Sequence, residues 1–245
     1  MARERGGQFV RARALREVED LLDFDSLDME FAITEGGLIH ILQVRPIAVQ
    51  HELTQSDAAE SLLTNAVDRF RQWQAPAPFV VGKRAYFGVM PDWNPAEIIG
   101  TRPGRLASSL YRYLIMDDVW AAQRAEYGYR DVRPQPLLRM FAGHPYVDIR
   151  ASFNSFIPQS LDDGLAGRLV DFYMEWLRRH PHLHDKVEFD VVPTCYALDF
   201  ERWRERLIHE GGFNADEADR LGVGLKTITA CAIARTDADL QVVDR

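Results

Sequence analysis

Between Asp28 and Pro46 the chain reads Asp-Met-Glu-Phe-Ala-Ile-Thr-Glu-Gly-Gly-Leu-Ile-His-Ile-Leu-Gln-Val-Arg-Pro, and this run leaves few folding options. Two short alternating stretches flank Glu35-Gly36, where glycine supplies the positive φ of a tight hairpin turn. Pairing Thr34 with Gly37 places Glu30 opposite Ile41 and Asp28 opposite Gln43. Side chains alternate along a strand, so Asp28, Glu30, Gln43 and Arg45 share one face. Met29, Phe31, Ile33, Leu38, Leu42 and Val44 line the other face, which His40 interrupts. A carboxylate, an amide oxygen and a guanidinium on one sheet face suit a divalent cation beside a phosphate chain. Mg²⁺ takes oxygen ligands and shares them with substrate phosphates, and arginine offers phosphate a planar fork. Alternation alone leaves open a second reading, in which the polar face is merely solvated.

Composition narrows the function classes. The chain has 245 residues, enough for one large domain or two small ones. A net charge of −8, with basic residues scattered or paired with acids as in Glu201-Arg-Trp-Arg-Glu-Arg206, argues against a nucleic-acid surface. No apolar run approaches the ~20 residues that span a bilayer. The amino end lacks the apolar core of a secretion signal, so a cytoplasmic protein is expected. Cys195 and Cys231 are the only cysteines and lie far apart, which points to neither a disulfide framework nor a thiolate metal site.

Periodicity predicts a helix over 8–23, then the hairpin, then a helix from Ala58 to Gln72 capped by Ser56 or Asp57. Ala75-Pro-Ala-Pro78 reads as a linker. Phe79 to Met90 is β-like. Asn94 before Pro95 predicts a capped short helix, Ala96 to Gly100. A longer helix is expected from Leu106 to Tyr127, with a stripe of Leu110, Leu114, Val119 and Ala122. Tyr146 to Phe156 alternates weakly, as a strand would. Asp162 to Arg179 predicts an amphipathic helix ended by His180-Pro181. Val187 to Val192 reads as a strand and Asp199 to Glu210 as a helix stopped by Gly211-Gly212. Asn214 caps a further short helix, and Gly222 to Ala234 fits either strand or helix.

Other candidate chemistry is thinner. Gly88-Val-Met-Pro-Asp-Trp-Asn-Pro-Ala-Glu-Ile-Ile-Gly100 joins a tryptophan, an acid and a helix start, with Arg102 and Arg105 close by. It can receive an anion or simply nucleate a helix with Trp93 in the core. His180, His182 and His184 have no acidic or thiolate partner placed by sequence, so a solvated helix end is expected rather than a metal site. His144 and His209 stand alone. Ser152 and Ser155 lack a nucleophile-elbow setting. Tyr127 and Tyr129 read as packing residues.

The paired strings Asp-Met-Glu-Phe-Ala-Ile and Leu-Gln-Val-Arg-Pro-Ile resemble the end of the nucleotide-binding domain of the phosphoenolpyruvate synthase and pyruvate phosphate dikinase family, an ATP-grasp fold. The likeness covers residues 10–48, including the helix before the hairpin. It implies that Glu30 and Gln43 hold Mg²⁺ near the ATP phosphates, and that Arg45 contacts and neutralises the transferred phosphate as a catalytic residue. Phe31 stands where the family often has tryptophan. The 88–100 string, with Ser108-Ser-Leu-Tyr111, Gln123 to Tyr129 and Ser152 to Pro158, resembles the segment that follows in uncharacterised bacterial members. That extends the likeness to about residue 160 without catalytic assignments, and suggests a substrate-side or interdomain surface.

The fold class so implied is α+β: residues 1–50 as the C-terminal piece of an ATP-grasp domain, 51–78 as helical connector and linker, and 79–245 as a mixed, helix-rich domain. In the complete enzyme ATP would phosphorylate a histidine on a swivelling domain, which passes the phosphoryl group to a small-molecule acceptor. The family's amino-terminal lobe, its phosphohistidine signature and its (βα)₈ barrel have no counterpart in this sequence. The expectation is therefore part of a larger phosphotransferase, inactive alone, whose missing lobe and phosphohistidine domain act in cis or in trans. The alternative is a non-catalytic binding module that keeps the hairpin as architecture and meets a partner through the Trp93 segment.

Overall fold

The computed structural model describes residues 16–22, 27–34, 36–46, 57–89 and 94–243. The chain is α+β and divides into two compact units, Met1–Thr54 and Gln55–Arg245. No helix among the described residues is long and apolar enough to cross a membrane.

In the first unit residues 16–22 form helix α1; the rest of the helix expected over 8–23 lies outside the described residues. Strands β1 (Leu27–Ile33) and β2 (Ile39–Pro46) pair antiparallel, as alternation predicts, but in a different register. Thr34 N–H donates to the Leu38 carbonyl (3.0 Å) and Gly37 N–H to the Thr34 carbonyl (2.9 Å). Gly37, at φ +83°, takes the left-handed position, which lengthens the loop to three residues. Ile33 therefore meets Ile39, Ala32 meets His40 and Phe31 meets Ile41. A bulge follows, with Leu42 as the extra residue, so that Glu30 faces Gln43 and Asp28 faces Arg45. These pairs replace the expected Glu30–Ile41 and Asp28–Gln43. The apolar face accordingly carries Ile39 and Ile41 opposite Ile33 and Phe31, and His40 moves to the polar face.

The second unit starts with α2 (Asp57–Trp73), whose cap lies outside the described side chains. Ala75 to Pro78 is no free linker. The Ala75 carbonyl accepts from Arg150 Nη2 (3.1 Å), Ala77 bridges to Val80, and Pro78 O accepts from Gln135 Nε2 (3.4 Å). The expected strand from Phe79 to Met90 shrinks to β3 (Phe87–Gly88). Two amide side chains take the place of a neighbouring strand there. Asn154 bonds both N–H and C=O of Val81 (2.8 Å each), and Gln74 does the same at Ala85 (3.0 and 2.8 Å). With their backbone groups satisfied in this way, Val81 and Ala85 need no ladder.

Short helices α3 (Pro95–Ile99) and α4 (Arg105–Tyr111) follow. Asn94 caps α3 as its sequence predicts, accepting from Glu97 N–H at 3.3 Å. The long helix expected over 106–127 is broken into α4, a π-helical turn Arg112–Met116 and α5 (Val119–Glu126). Its buried residues are Tyr111, Met116, Trp120, Ala121 and Arg124, while Leu110, Leu114 and Val119 are exposed. Periodicity found the stripe but not its direction. Strands β4 (Leu138–Phe141) and β5 (His144–Asp148) complete an antiparallel sheet of order β3-β5-β4. The weak strand expected through Phe156 stops at Asp148, which caps α6 (Ile149–Asn154) by accepting from Ala151 N–H at 3.1 Å. Every residue of α6 is buried. It joins a core around the sheet and α5 to a larger one under α7 (Asp163–Arg179), α8 (Phe200–Gly211) and α9 (Ala215–Val243).

Helix α7 matches its sequence closely: Leu165, Ala166, Leu169, Val170, Tyr173, Met174 and Leu177 form one buried stripe. Val187 to Val191, expected as a strand, winds into a π-helical turn that buries Val187 and Val191 against the α7 core. The ambiguous Gly222 to Ala234 belongs to α9, a single helix started by an Asn214–Glu217 capping box (2.9 and 3.0 Å). Gly222 and Gly224 are there for close approach. A Cβ at Gly224 would lie 2.6 Å from Pro158 Cβ, and one at Gly222 2.7 Å from the Phe200 ring.

Asp162 ties α7 to α9. Its carboxylate accepts from Leu165 N–H (3.0 Å) at the head of α7 and from Arg220 Nη2 (2.7 Å) on α9. These hydrogen bonds, the backbone one foremost, hold its pKa down at about 2. A carboxyl depressed on folding adds stability above its unfolded pKa and loses it as pH falls toward the folded value. Asp162→Asn keeps a cap acceptor but removes the charge. The melting-temperature gap between wild type and variant should therefore close as pH drops from about 5 to about 2. A gap constant across that range would mean that the charge of Asp162 does not act.

Candidate functional site

The sequence-predicted trio stands together. Glu30 and Gln43 are direct cross-strand partners, Asp28 and Arg45 are the next same-face pair, and all four side chains leave one face of the β1–β2 hairpin. Arg45 Nη2 donates to Asp28 Oδ2 (2.9 Å) and to Glu30 Oε1 (3.3 Å). The bulge at Leu42 makes this arrangement possible. Without it Gln43 would stand one position further from Glu30. The polar face thus holds two carboxylates, one amide and one guanidinium, with His40 one same-face step beyond Glu30, opposite Ala32. Strict alternation assigns His40 to the wrong face; the paired glycines at the turn are the signal that could have shifted it.

Electrostatically the cluster is loosely held. The side chains of Asp28 and Glu30 are about half exposed, and that of Arg45 one-third. Ion pairs of that exposure contribute roughly 0–1 kcal/mol. Arg45 can therefore trade a carboxylate for a phosphate oxygen at small cost. Glu30, Gln43 and Asp28 offer hard oxygens of the kind Mg²⁺ takes, and each carboxylate has lone pairs beyond those shared with Arg45. Two or three protein oxygens fit a Mg²⁺ that fills its remaining positions with water and phosphate. They do not form an all-protein cage, and no group of three His, Cys, Asp or Glu suited to a metal occurs among the described residues.

The other sequence candidates resolve into structural roles. His180 stacks on Trp176 (centroids 4.2 Å), with Nδ1 at 3.0 Å from the Trp176 carbonyl. His182 packs edge-on against His180, and His184 Nδ1 lies 3.0 Å from the Pro181 carbonyl. His144 lies between Thr101 O (2.8 Å) and Arg102 Nε (3.3 Å). Ser152 and Ser155 are fully buried. Tyr129 donates its hydroxyl to the Thr194 carbonyl, and burial pushes its pKa up to about 12. Cys195 and Cys231 are free thiols. Trp93, with Met90 to Asp92, lies outside the described residues.

Two charged clusters escape sequence reasoning. Arg139 Nε donates to Asp148 Oδ2 (3.4 Å) while its guanidinium lies 4.9 Å over the Trp73 ring; Arg150 Nη2 closes the end of α2 on the Trp73 and Ala75 carbonyls (3.1 Å each). Burial raises the pKa of the Asp148 carboxyl, against the opposing pull of Arg139 and of the Ala151 N–H. Arg206 is stacked between Trp176 and Trp203, 4.5 Å from each. Both indole faces are taken, so this cation is a packing element. Among the described residues the hairpin face is one grouping with ligand-type donors and solvent access, and Asp190, Asp199, Arg202 and Arg206 line a small open pocket beside Trp203. Compared with models of protein families, with curated proteins and with solved structures, the chain matches none.

Proposed function

We propose that the hairpin is the phosphate-side wall of a nucleotide site, and that the chain contributes it to an ATP-dependent phosphotransferase of the phosphoenolpyruvate synthase and pyruvate phosphate dikinase type. The observation that carries this reading is the cross-strand Glu30–Gln43 pair with Arg45 on the same face. Glu30 and Gln43 would hold Mg²⁺, which would supply positive charge against that of the phosphates. Arg45 would meet the transferred phosphate. Phosphoryl transfer depends chiefly on positioning and electrostatics, so paired strands that set these groups side by side are a suitable place for them. One sheet face covers one side of a nucleotide, and the reading requires an opposing lobe and a phosphohistidine domain, in cis or in trans. The acceptor is a small molecule whose identity these residues do not select.

The chain by itself should bind Mg-ATP weakly, with Kd on the order of 1 mM. Amide resonances of Asp28, Glu30, Gln43 and Arg45 should shift on titration, and Glu30→Ala should abolish the shifts. An unperturbed hairpin at saturating nucleotide would defeat the proposal. Micromolar binding lost in Glu30→Ala would show instead that the chain carries a working site without a second lobe. A second reading, the hairpin as architecture in a binding module, draws on the Arg45 link to Asp28 and Glu30, which is complete without any ligand. It expects no nucleotide response at all.

A further inference from the structure

We infer that His40 is a further phosphate-contacting residue of the hairpin face, and that it makes the site select ligands by the length of their phosphate chain. The inference rests on the nucleotide reading of that face. It adds a residue that neither strict alternation nor the family likeness assigns.

The bulge in β2 carries the argument. Counting by twos from Arg45 and Gln43 leads to Ile41, but the extra residue Leu42 switches the phase of the strand. His40 therefore leaves the same face as Glu30. Its cross-strand partner is Ala32, whose methyl group cannot reach over the ring. Both residues are exposed, and among the described residues His40 has no hydrogen-bond partner. An imidazole carries at least one N–H in either protonation state, so it can donate to a phosphate oxygen.

Position then gives selectivity. Successive rows of side chains on one strand face lie about 7 Å apart. Three such rows hold Asp28 with Arg45, Glu30 with Gln43, and Ala32 with His40. Arg45 leans toward the middle row, with Nη2 3.3 Å from Glu30 Oε1. The order along the face is therefore guanidinium, oxygen donors, imidazole. A chain whose terminal phosphate meets Arg45 and whose middle crosses the Glu30–Gln43 pair has its inner phosphate beside His40. A single phosphate reaches one end of the series only. The ligand class is thus a triphosphate, with its nucleoside on the His40 side, toward the hairpin turn.

NMR titration of the full chain with phosphate, pyrophosphate and tripolyphosphate, each with Mg²⁺ and at one pH, tests this. The amides of Glu30, Gln43 and Arg45 should respond to all three. The ring resonances of His40 should move with tripolyphosphate and stay in place with phosphate. His40→Ala should raise the tripolyphosphate Kd by about fivefold or more and leave the phosphate Kd unchanged. Ala32→Leu, which covers the ring from across the strand pair, should do the same with His40 intact. Glu30, Gln43 and Arg45 responding while the His40 ring stays silent would overturn the role of His40 and leave the nucleotide reading standing. So would a ring that moves equally with phosphate, or a tripolyphosphate affinity indifferent to His40→Ala. A hairpin that responds to none of the three, nor to Mg-ATP, would overturn both.

Discussion

Phe153→Ala should lower the unfolding free energy of the Gln55–Arg245 unit by about 3–5 kcal/mol, the usual cost of emptying a buried phenylalanine site. Phe153 is fully buried in α6 and meets the Tyr173 ring of α7 edge to face, with centroids 6.3 Å apart. The site resists collapse around the deletion for a structural reason: α6 is held from both sides, by the sheet before it and by α7 across it. Truncation therefore leaves a cavity and removes an aromatic contact worth a further ~1 kcal/mol. Urea unfolding followed by tryptophan fluorescence measures the effect, with an unchanged slope and a lower midpoint. A loss under about 1 kcal/mol would mean that the α6–α7 contact is not close-packed.

Asn154→Ala should cost about 3 kcal/mol through a different mechanism. Asn154 is fully buried, accepts from Val81 N–H and donates to the Val81 and Arg150 carbonyls, all at 2.8 Å. Alanine removes little volume but leaves the Val81 N–H and C=O without their partner, and each unmet group carries a desolvation penalty. Asn154→Asp should be no better, because a carboxylate cannot donate to either carbonyl and buries a charge. Hydrogen exchange localises the damage. The amide of Val81 should exchange faster in Asn154→Ala by more than the global stability loss predicts. Exchange at Val81 that follows the global value alone would show that the Asn154 clamp is not what orders residues 81 to 86.

The contrast between these two sites explains what was legible in the sequence. Helices α7 and α8 could be read because caps, periodicity and stop signals agree: Asp162 starts α7, His180-Pro181 ends it, and Gly212 at φ +67° ends α8. The helix α6 and the turn at Val187 could not, because short apolar runs satisfy a period of 2 and of 3.6 equally. Residues 79 to 90 read as a strand, and the backbone groups of Val81 and Ala85 are indeed satisfied from outside. The partners are side chains 11 and 73 residues away, which no local pattern announces. On the hairpin, alternation placed Glu30, Gln43 and Arg45 on one face. Two adjacent glycines and one bulge residue altered every pairing and moved His40 across the sheet.

By itself the sequence determined which residues are polar, which are apolar and at what spacing. That is enough for the hairpin, for the capped helices and for the shared face of the candidate site. The tertiary structure alone decided which apolar stripes are covered. Leu110 and Leu114 have the same spacing as the buried residues of α7 yet face solvent, because the core around Trp120 and Met116 is closed from the other side of the helix. Periodicity is a property of one element, whereas burial is a relation between elements. The first can be read along the chain; the second exists only once the chain has packed.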